Sequence, residues 1–308
     1  ADGTYVWNIT CADSASKSNV SDIRTLNIDV ATPTINLETP ADNAWSNDNT
    51  PDLKFNFTDQ SSTASCTIYL GAVPYGTNVS AFNNTMTTIT VNASLTSGTN
   101  YTWNVTCTDL ASNTKYGTGR NIQIDTIAPT VTFVSPANNA WTSDTTPDLY
   151  FNVTDATAVN FSCSLYIDNI LNQTNTSVAR NEVSNGFTVV SAMSEAAHTW
   201  NITCTDPAAN TINSGARTLN VDNTVPTIAL QTPANNAWTN DNTTDFVFTV
   251  SDNLDTSLDC TLGINNANYG NNASVIAGAT TTIRLNATNG IADGTYVWNI
   301  TCADSASK

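Results

Sequence analysis

A tryptophan returns along this chain at Trp7, Trp103, Trp200 and Trp298, at steps of 96, 97 and 98 residues, and each opens a version of W-N-I/V-T-C-A/T-D. A second landmark keeps the same pace: TPADNAWSNDNTPDLKFNFTD from Thr39, SPANNAWTSDTTPDLYFNVTD from Ser135 and TPANNAWTNDNTTDFVFTVSD from Thr232. A period of about 97 residues restricts the chain to one fold used several times, and a unit of that length can bury a core of its own. The first seventeen residues, ADGTYVWNITCADSASK, recur unchanged as the last seventeen, whereas neighbouring units have diverged. Duplication of a three-unit block as a block explains both facts, and the chain is expected to be one period of a longer protein. No apolar run is long enough to span a membrane, so secretion or anchoring signals are expected outside these residues.

Within a unit, short stretches alternate apolar and polar residues between clusters of Asn, Asp, Gly, Pro, Ser and Thr, the pattern of half-buried β-strands joined by turns. No helical period is present. In one unit the inward sets are Ile35 and Leu37; Leu53, Phe55 and Phe57; Cys66, Ile68 and Leu70; Ile89 and Val91; Tyr101, Trp103, Val105 and Cys107; Ile122 and Ile124. About seven such strands per unit predict an all-β chain of antiparallel β-sandwiches, since two packed sheets bury one apolar face each. Prolines mark the hand-over between units, in IDVATPT, IDTIAPT and VDNTVPT, where a missing amide donor harms no sheet and a fixed φ stiffens a short joint.

The run from a D-x-x-x-P joint through an apolar strand to SPANN, and on to a strand ending FNVTD, resembles the tandem Ig-like domains of archaeal and bacterial cell-surface proteins and extracellular filaments. The resemblance covers the whole chain and implies a fold and a setting rather than an activity. Unlike antibody domains, the chain has its first cysteine after the FNFTD strand, and Val105 stands two residues before the second, where those domains have Tyr. Strand letters taken from the resemblance put the first cysteine on strand C and the second on strand F. Cutting at the joints gives the F and G strands of a preceding unit at 1–30, complete units at 31–127 and 128–224, and a unit lacking its last strand at 225–308. The expected partner is therefore the chain itself, end to end, in a covalent array or by donor-strand exchange between subunits.

The seven cysteines fit one pair per unit, Cys66 with Cys107, Cys163 with Cys204 and Cys260 with Cys302, with Cys11 as the copy of Cys302. Clustered C-x-x-C ligands are absent and there is one histidine, so disulfides in an oxidising, extracellular setting are favoured over a zinc site. Sequons occur at Asn8, Asn56, Asn92, Asn104, Asn152, Asn160, Asn201, Asn286 and Asn299. Strand alternation turns Asn104 outward between Trp103 and Val105, so N-linked glycans are expected on strand F. With 26 acidic against 9 basic residues, a net charge of −17, the chain offers no basic patch to nucleic acid or an anionic membrane.

The joint, the BC loop and the FG loop share one end of the sandwich implied by the resemblance. There they bring Asp29, Asp59 and Asp109 together in one unit, Asp125, Asp155 and Asp206 in the next, and Asp222, Asp252 and Asp304 in the third. Convergent hard oxygen ligands suit Ca²⁺, which would stiffen a joint. Aspartates that merely initiate turns are the simpler reading, because no compact loop carries ligands at alternating positions. The fold requires no cofactor; calcium is the one ion that the pattern admits. His198 stands where other units have Tyr101 and Tyr296, which points to packing rather than to a Ser-His-Asp arrangement, and no catalytic activity is expected. Trp45, Trp141 and Trp238 recur at one place in every unit, as structural residues do. Two functions remain: a structural filament, stalk or sheath element, at about 35–40 Å per sandwich, or a cell-surface adhesin or carbohydrate-binding protein that uses the array to present a ligand face.

Overall fold

The structure is a computed structural model and describes residues 2–182, 185–285, 288 and 290–307. It forms two compact units, one of Ala1–Pro129 with Asp155–Val159 and Thr205–Thr211, the other of Thr130–Thr154, Asn160–Cys204 and Ile212–Lys308. Among the described residues all regular elements are strands.

The first unit begins with β1 (Gly3–Trp7), β2 (Thr10–Ala12), β3 (Ser18–Val20) and β4 (Arg24–Ile28), of which β1 pairs with β4 and β2 with β3. A sandwich follows, built from β5 (Thr34–Thr39), β6 (Ala44–Ser46), β7 (Asp52–Thr58), β8 (Thr63–Leu70), β9 (Val73–Phe82), β10 (Thr87–Thr90), β11 (Thr99–Asp109), β12 (Thr114–Tyr116) and β13 (Arg120–Ile124). One sheet has the order β10-β7-β5; the other runs β6-β13-β11-β8-β9, with β12 added on β11. Period-two alternation is what closes it. Leu53, Phe55 and Phe57 of β7 and Cys66 and Ile68 of β8 are fully buried, as are Trp103, Val105 and Cys107 of β11 and Ile122 and Ile124 of β13. Each large side chain so buried contributes about 1.5–3 kcal/mol. Ile35, Leu37 and Tyr101 pack on this core while partly exposed.

The sandwich has more strands than the seven that the pattern suggests. At Thr39–Pro40 the chain leaves β5, since proline has no amide to continue the ladder, crosses to the other sheet and forms β6, which lies parallel to β13 with Trp45 opposite Gln123. Arg120 secures the corner: its Nη1 donates to the carbonyls of Glu38 and Pro40, at 2.9 and 3.1 Å.

The second unit repeats the plan with β14 (Thr130–Ser135), β15 (Ala140–Thr142), β16 (Asp148–Thr154), β17 (Asn160–Ile167), β18 (Ile170–Ala179), β19 (Gly186–Thr188), β20 (Ala196–Thr205), β21 (Thr211–Asn213) and β22 (Arg217–Val221). Its sheets are β14-β16-β19 and β15-β22-β20-β17-β18, with β21 on β20. Arg217 Nη1 donates to Pro136 O at 2.6 Å and its guanidinium covers Phe133, whose ring meets Trp200 edge-on at 4.5 Å. The next sandwich has β23 (Thr227–Thr232), β24 (Asp245–Ser251), β25 (Ser257–Ile264), β26 (Ala267–Ile276), β27 (Thr280–Arg284) and β28 (Trp298–Ala303), in sheets β23-β24-β27 and β26-β25-β28. There, among the described residues, β28 has no counterpart of β13 beside it, residues 237–239 form no strand, and Trp238 is 99% exposed, whereas Trp45 and Trp141 are half-buried.

Truncating Phe55→Ala is expected to cost about 3–5 kcal/mol, as a cavity in a closed core does. Urea unfolding measures it, and a loss under about 1 kcal/mol would contradict the packing described.

Candidate functional site

Every one of the nine aspartates stands at or just past a strand end: Asp29 after β4, Asp59 after β7, Asp109 closing β11; Asp125 after β13, Asp155 after β16, Asp206 after β20; Asp222 after β22, Asp252 after β24, Asp304 after β28. The structure brings them together as three groups, and within each group one carboxylate oxygen per residue lies within 4.8 Å of the others. Asp125, Asp155 and Asp206 all belong to the first compact unit, and Asp222, Asp252 and Asp304 to the second. Asp109, Asp125, Asp206, Asp222 and Asp304 are buried; Asp29, Asp59, Asp155 and Asp252 are half-buried.

One oxygen of most of these carboxylates does the work of a turn initiator. Asp59 Oδ1 accepts from Ser61 N at 2.8 Å, Asp125 Oδ1 from Ile127 N at 3.2 Å and Ser97 Oγ at 3.5 Å, and Asp222 Oδ1 from Thr224 N at 3.1 Å. Asp252 Oδ1 accepts from the amides of Leu254 and Asp255, at 2.9 and 2.8 Å. The Oδ2 atoms of Asp59, Asp125, Asp222 and Asp252 are buried with no hydrogen-bond partner. Asparagine braces two of the groups: Asn113 Nδ2 donates to Asp109 Oδ2 and Asp29 O, at 2.8 and 3.1 Å, and Asn210 Nδ2 to Asp206 Oδ2 and Asp125 O, both at 2.8 Å. Burial is the main cause that raises the Asp59, Asp125 and Asp222 carboxyls above the ordinary value of 3.8, and the carboxylates beside each add to it. Among the described residues no Lys, Arg or His forms an ion pair with Asp29, Asp59, Asp109, Asp125, Asp206 or Asp222.

His198 has a different setting. The two-residue hairpin between β17 and β18 puts Asp168 and Asn169 at φ 50° and 66°, which asparagine and aspartate tolerate. From there Asp168 Oδ1 accepts from Thr199 N at 2.7 Å while Oδ2 meets His198 Nδ1 at 2.7 Å. His198 Nε2 donates to Ser194 O at 2.9 Å, so it has no lone pair to offer Ser194 Oγ, 3.4 Å away, and the trio cannot act as a nucleophile and base. The other units show what the contact is. Tyr296 Oη donates to Ala292 O at 3.0 Å, Tyr101 Oη accepts from Thr96 N at 3.0 Å, and Asn265 Oδ1 accepts from Val297 N at 3.0 Å. In each sandwich the aromatic residue pins the segment that enters the central strand, a duty like that of the tyrosine corner.

Three disulfides join Cys66 to Cys107, Cys163 to Cys204 and Cys260 to Cys302, and Cys11 is an exposed free thiol. Cys66 and Cys107 face each other across β8 and β11, as Cys260 and Cys302 do across β25 and β28. Such bridges fit an oxidising environment. Of the sequon asparagines, Asn8, Asn92, Asn160 and Asn299 are exposed, and Asn56, Asn104, Asn152 and Asn201 half-buried; Asn286 lies outside the described residues. Asn56 is engaged on both sides, its Oδ1 accepting from Asn36 Nδ2 at 3.0 Å and its Nδ2 donating to Glu38 Oε1 at 3.4 Å. No helix of the described residues is long and apolar enough to cross a membrane.

Neither a protein-family description nor a curated protein matches the chain. Among solved structures it is similar to the fibronectin(III)-like modules of Clostridium thermocellum CbhA, with 12% identity and a TM-score of 0.41 over 61% of this chain and 94% of that one. A tetra-tandem repeat from the extending region of a large adhesion protein is 19% identical, with a TM-score of 0.36 over 100% of this chain and 79% of that one. A 1.5-MDa bacterial ice-binding adhesin is 17% identical, with a TM-score of 0.32 over 90% and 94%. The chain's own sheets and cores define the class: an all-β protein of tandem Ig-like antiparallel β-sandwiches.

His198→Tyr restores the residue of the other units and is expected to change stability at pH 7 by less than about 1 kcal/mol. Burial works against the Asp168 charge, but hydrogen bonds from His198 and Thr199 outweigh it and hold its pKa below 3.8. A depressed carboxyl stabilises the fold above its ordinary value and loses that effect as pH falls through the folded one. Acid unfolding below pH 3.8 should therefore be steeper in the parent than in the variant, as circular dichroism would register.

Proposed function

We propose that this chain is part of a repetitive extracellular structural protein, a filament, stalk or sheath whose length comes from disulfide-stapled Ig-like sandwiches, with units at 31–127, 128–224 and from 225 onward, joined in a covalent array. The observation that carries the reading is a pair of complementary pieces. The sheet β26-β25-β28 has an open edge on β28 where β13 and β22 close the other sandwiches. The hairpin of β1 and β4 offers the missing strand: β4 has the sequence RTLNI, against RNIQI in β13 and RTLNV in β22, and its Leu26 and Ile28 are 51% and 37% exposed.

Repetition with one bridge per sandwich supplies reach and resistance to pulling, and needs no reactive site. N-linked glycans belong, on this reading, to the exposed sequon asparagines Asn8, Asn92, Asn160 and Asn299. Ligand presentation would call for one sandwich with a feature of its own. The bare Trp238 does not provide it: Trp45 and Trp141 stand on strands paired with β13 and β22, and residues 237–239 form no such strand.

Electron microscopy of native, cell-derived material with its intact denatured mass is the test. A thin fibre with an axial repeat of about 100–120 Å and a mass far above that of 308 residues is expected. The same fibre dissolving into chains of this size would replace the covalent array by strand exchange, and compact monomers would refute the filament.

A further inference from the structure

We propose that Asp125, Asp155 and Asp206, and separately Asp222, Asp252 and Asp304, each hold one Ca²⁺ ion through their convergent carboxylates. Two fully buried side chains carry the inference. Asp125 and Asp222 are both 0% exposed, and in each the Oδ1 atom is satisfied by the local turn while Oδ2 is buried without a partner. A second carboxylate oxygen left dry is unfavourable by itself, and each of these residues also has a carboxylate oxygen within 4.8 Å of those of two further aspartates. Neither Asp125 nor Asp222 has a cationic side chain to offset it among the described residues. A cation bound between the carboxylates removes both faults at once.

The ligand chemistry selects the ion. All three donors of each group are carboxylate oxygens, with no His or Cys among them, which excludes the soft and borderline sites of zinc and copper. Ca²⁺ takes six to eight oxygens in irregular geometry and accepts carboxylates with water completing the shell, whereas Mg²⁺ demands a near-ideal octahedron. The groups are also held in shape beforehand. Asn210 joins Asp206 to the Asp125 backbone, and Glu195, by accepting from Asn223 N, Thr224 Oγ1 and Asn253 Nδ2, ties the Asp222 and Asp252 segments together. Bound metal would lock the residues after β13 against the turns that follow β16 and β20, and those after β22 against the ends of β24 and β28.

Asp29, Asp59 and Asp109 share the spacing, but in that group the unpartnered oxygen, Asp59 Oδ2, belongs to a half-buried residue. Asp29, which stands where Asp125 and Asp222 do, is half-buried and has partners on both oxygens: Oδ1 accepts from Ala31 N and Oδ2 from Ser61 Oγ, both at 3.2 Å. The proposal is therefore confined to the other two groups, and it stands independently of whether the protein forms filaments.

The test is calcium binding by the intact 308-residue chain after stripping with EDTA, by isothermal titration and metal analysis, with Mg²⁺ in parallel. Dissociation constants of about 10⁻⁴–10⁻³ M or tighter are expected, at least tenfold weaker binding of Mg²⁺, and a rise in Tm with Ca²⁺. Asp125→Asn and Asp222→Asn should each remove one equivalent, and Asp155→Asn and Asp252→Asn the same equivalents by a route that leaves the fully buried residue in place. Disulfide mapping and circular dichroism certify that each variant is folded. Loss of the two equivalents supports the proposal whether or not one further equivalent persists. No uptake at about ten times the upper constant, or uptake that none of the substitutions alters, would overturn it.

Discussion

The sandwiches built on β11 and β20 each depend on one strand that is paired on both sides. Strand β11 is hydrogen-bonded through its first half to β13, from Thr99 to Trp103, and through its second half to β8, from Trp103 to Asp109. Trp103 is the pivot, common to both ladders and fully buried. The same strand places a cysteine opposite its partner on β8, ends in an aspartate of the acidic group and is entered past the aromatic residue that pins the preceding segment. Core, crosslink and acidic group are thus aligned by a single register, and a slip of one residue would turn all of them to the wrong face.

The aspartates show how one residue type can satisfy two demands. A turn needs an acceptor for one or two amides, and Oδ1 provides it at Asp59, Asp125, Asp222 and Asp252. With Oδ1 held by the turn, the side chain has little rotamer freedom left, and Oδ2 stays buried where the turn leaves it. Turn initiation and the proposed ion ligation, which compete as explanations at the level of sequence, can be divided between different atoms of the same side chain.

Much of this was legible in the letters. Period two picked out Leu53, Phe55, Phe57, Trp103 and Val105 as inward, and the buried core contains them. Loops at a common end of the implied sandwich were enough to group the aspartates, and a histidine at a tyrosine position was enough to doubt a triad. What escaped was whatever depends on a partner distant in sequence. Three-residue β6 has no pattern of its own and exists because β13 lies alongside; Asp168 looks like any hairpin residue until β20 is folded against it. The unpaired Oδ2 atoms are invisible to any pattern, since only packing decides which oxygen is dry.

The stretch that the chain carries twice makes the dependence on partners concrete. In the first copy the strand spans Gly3–Trp7, beside β4; in the second it spans Trp298–Ala303, beside β25. Laid on one another, those two halves cover the span of β20, with the tryptophan common to both. Ile9 is 54% exposed where its twin Ile300 is 7% exposed, and Cys11 is an open thiol where Cys302 is sealed in a bridge. Two peptides with the same letters are therefore different chemical substances within one molecule: a thiol reagent would mark the first and pass over the second.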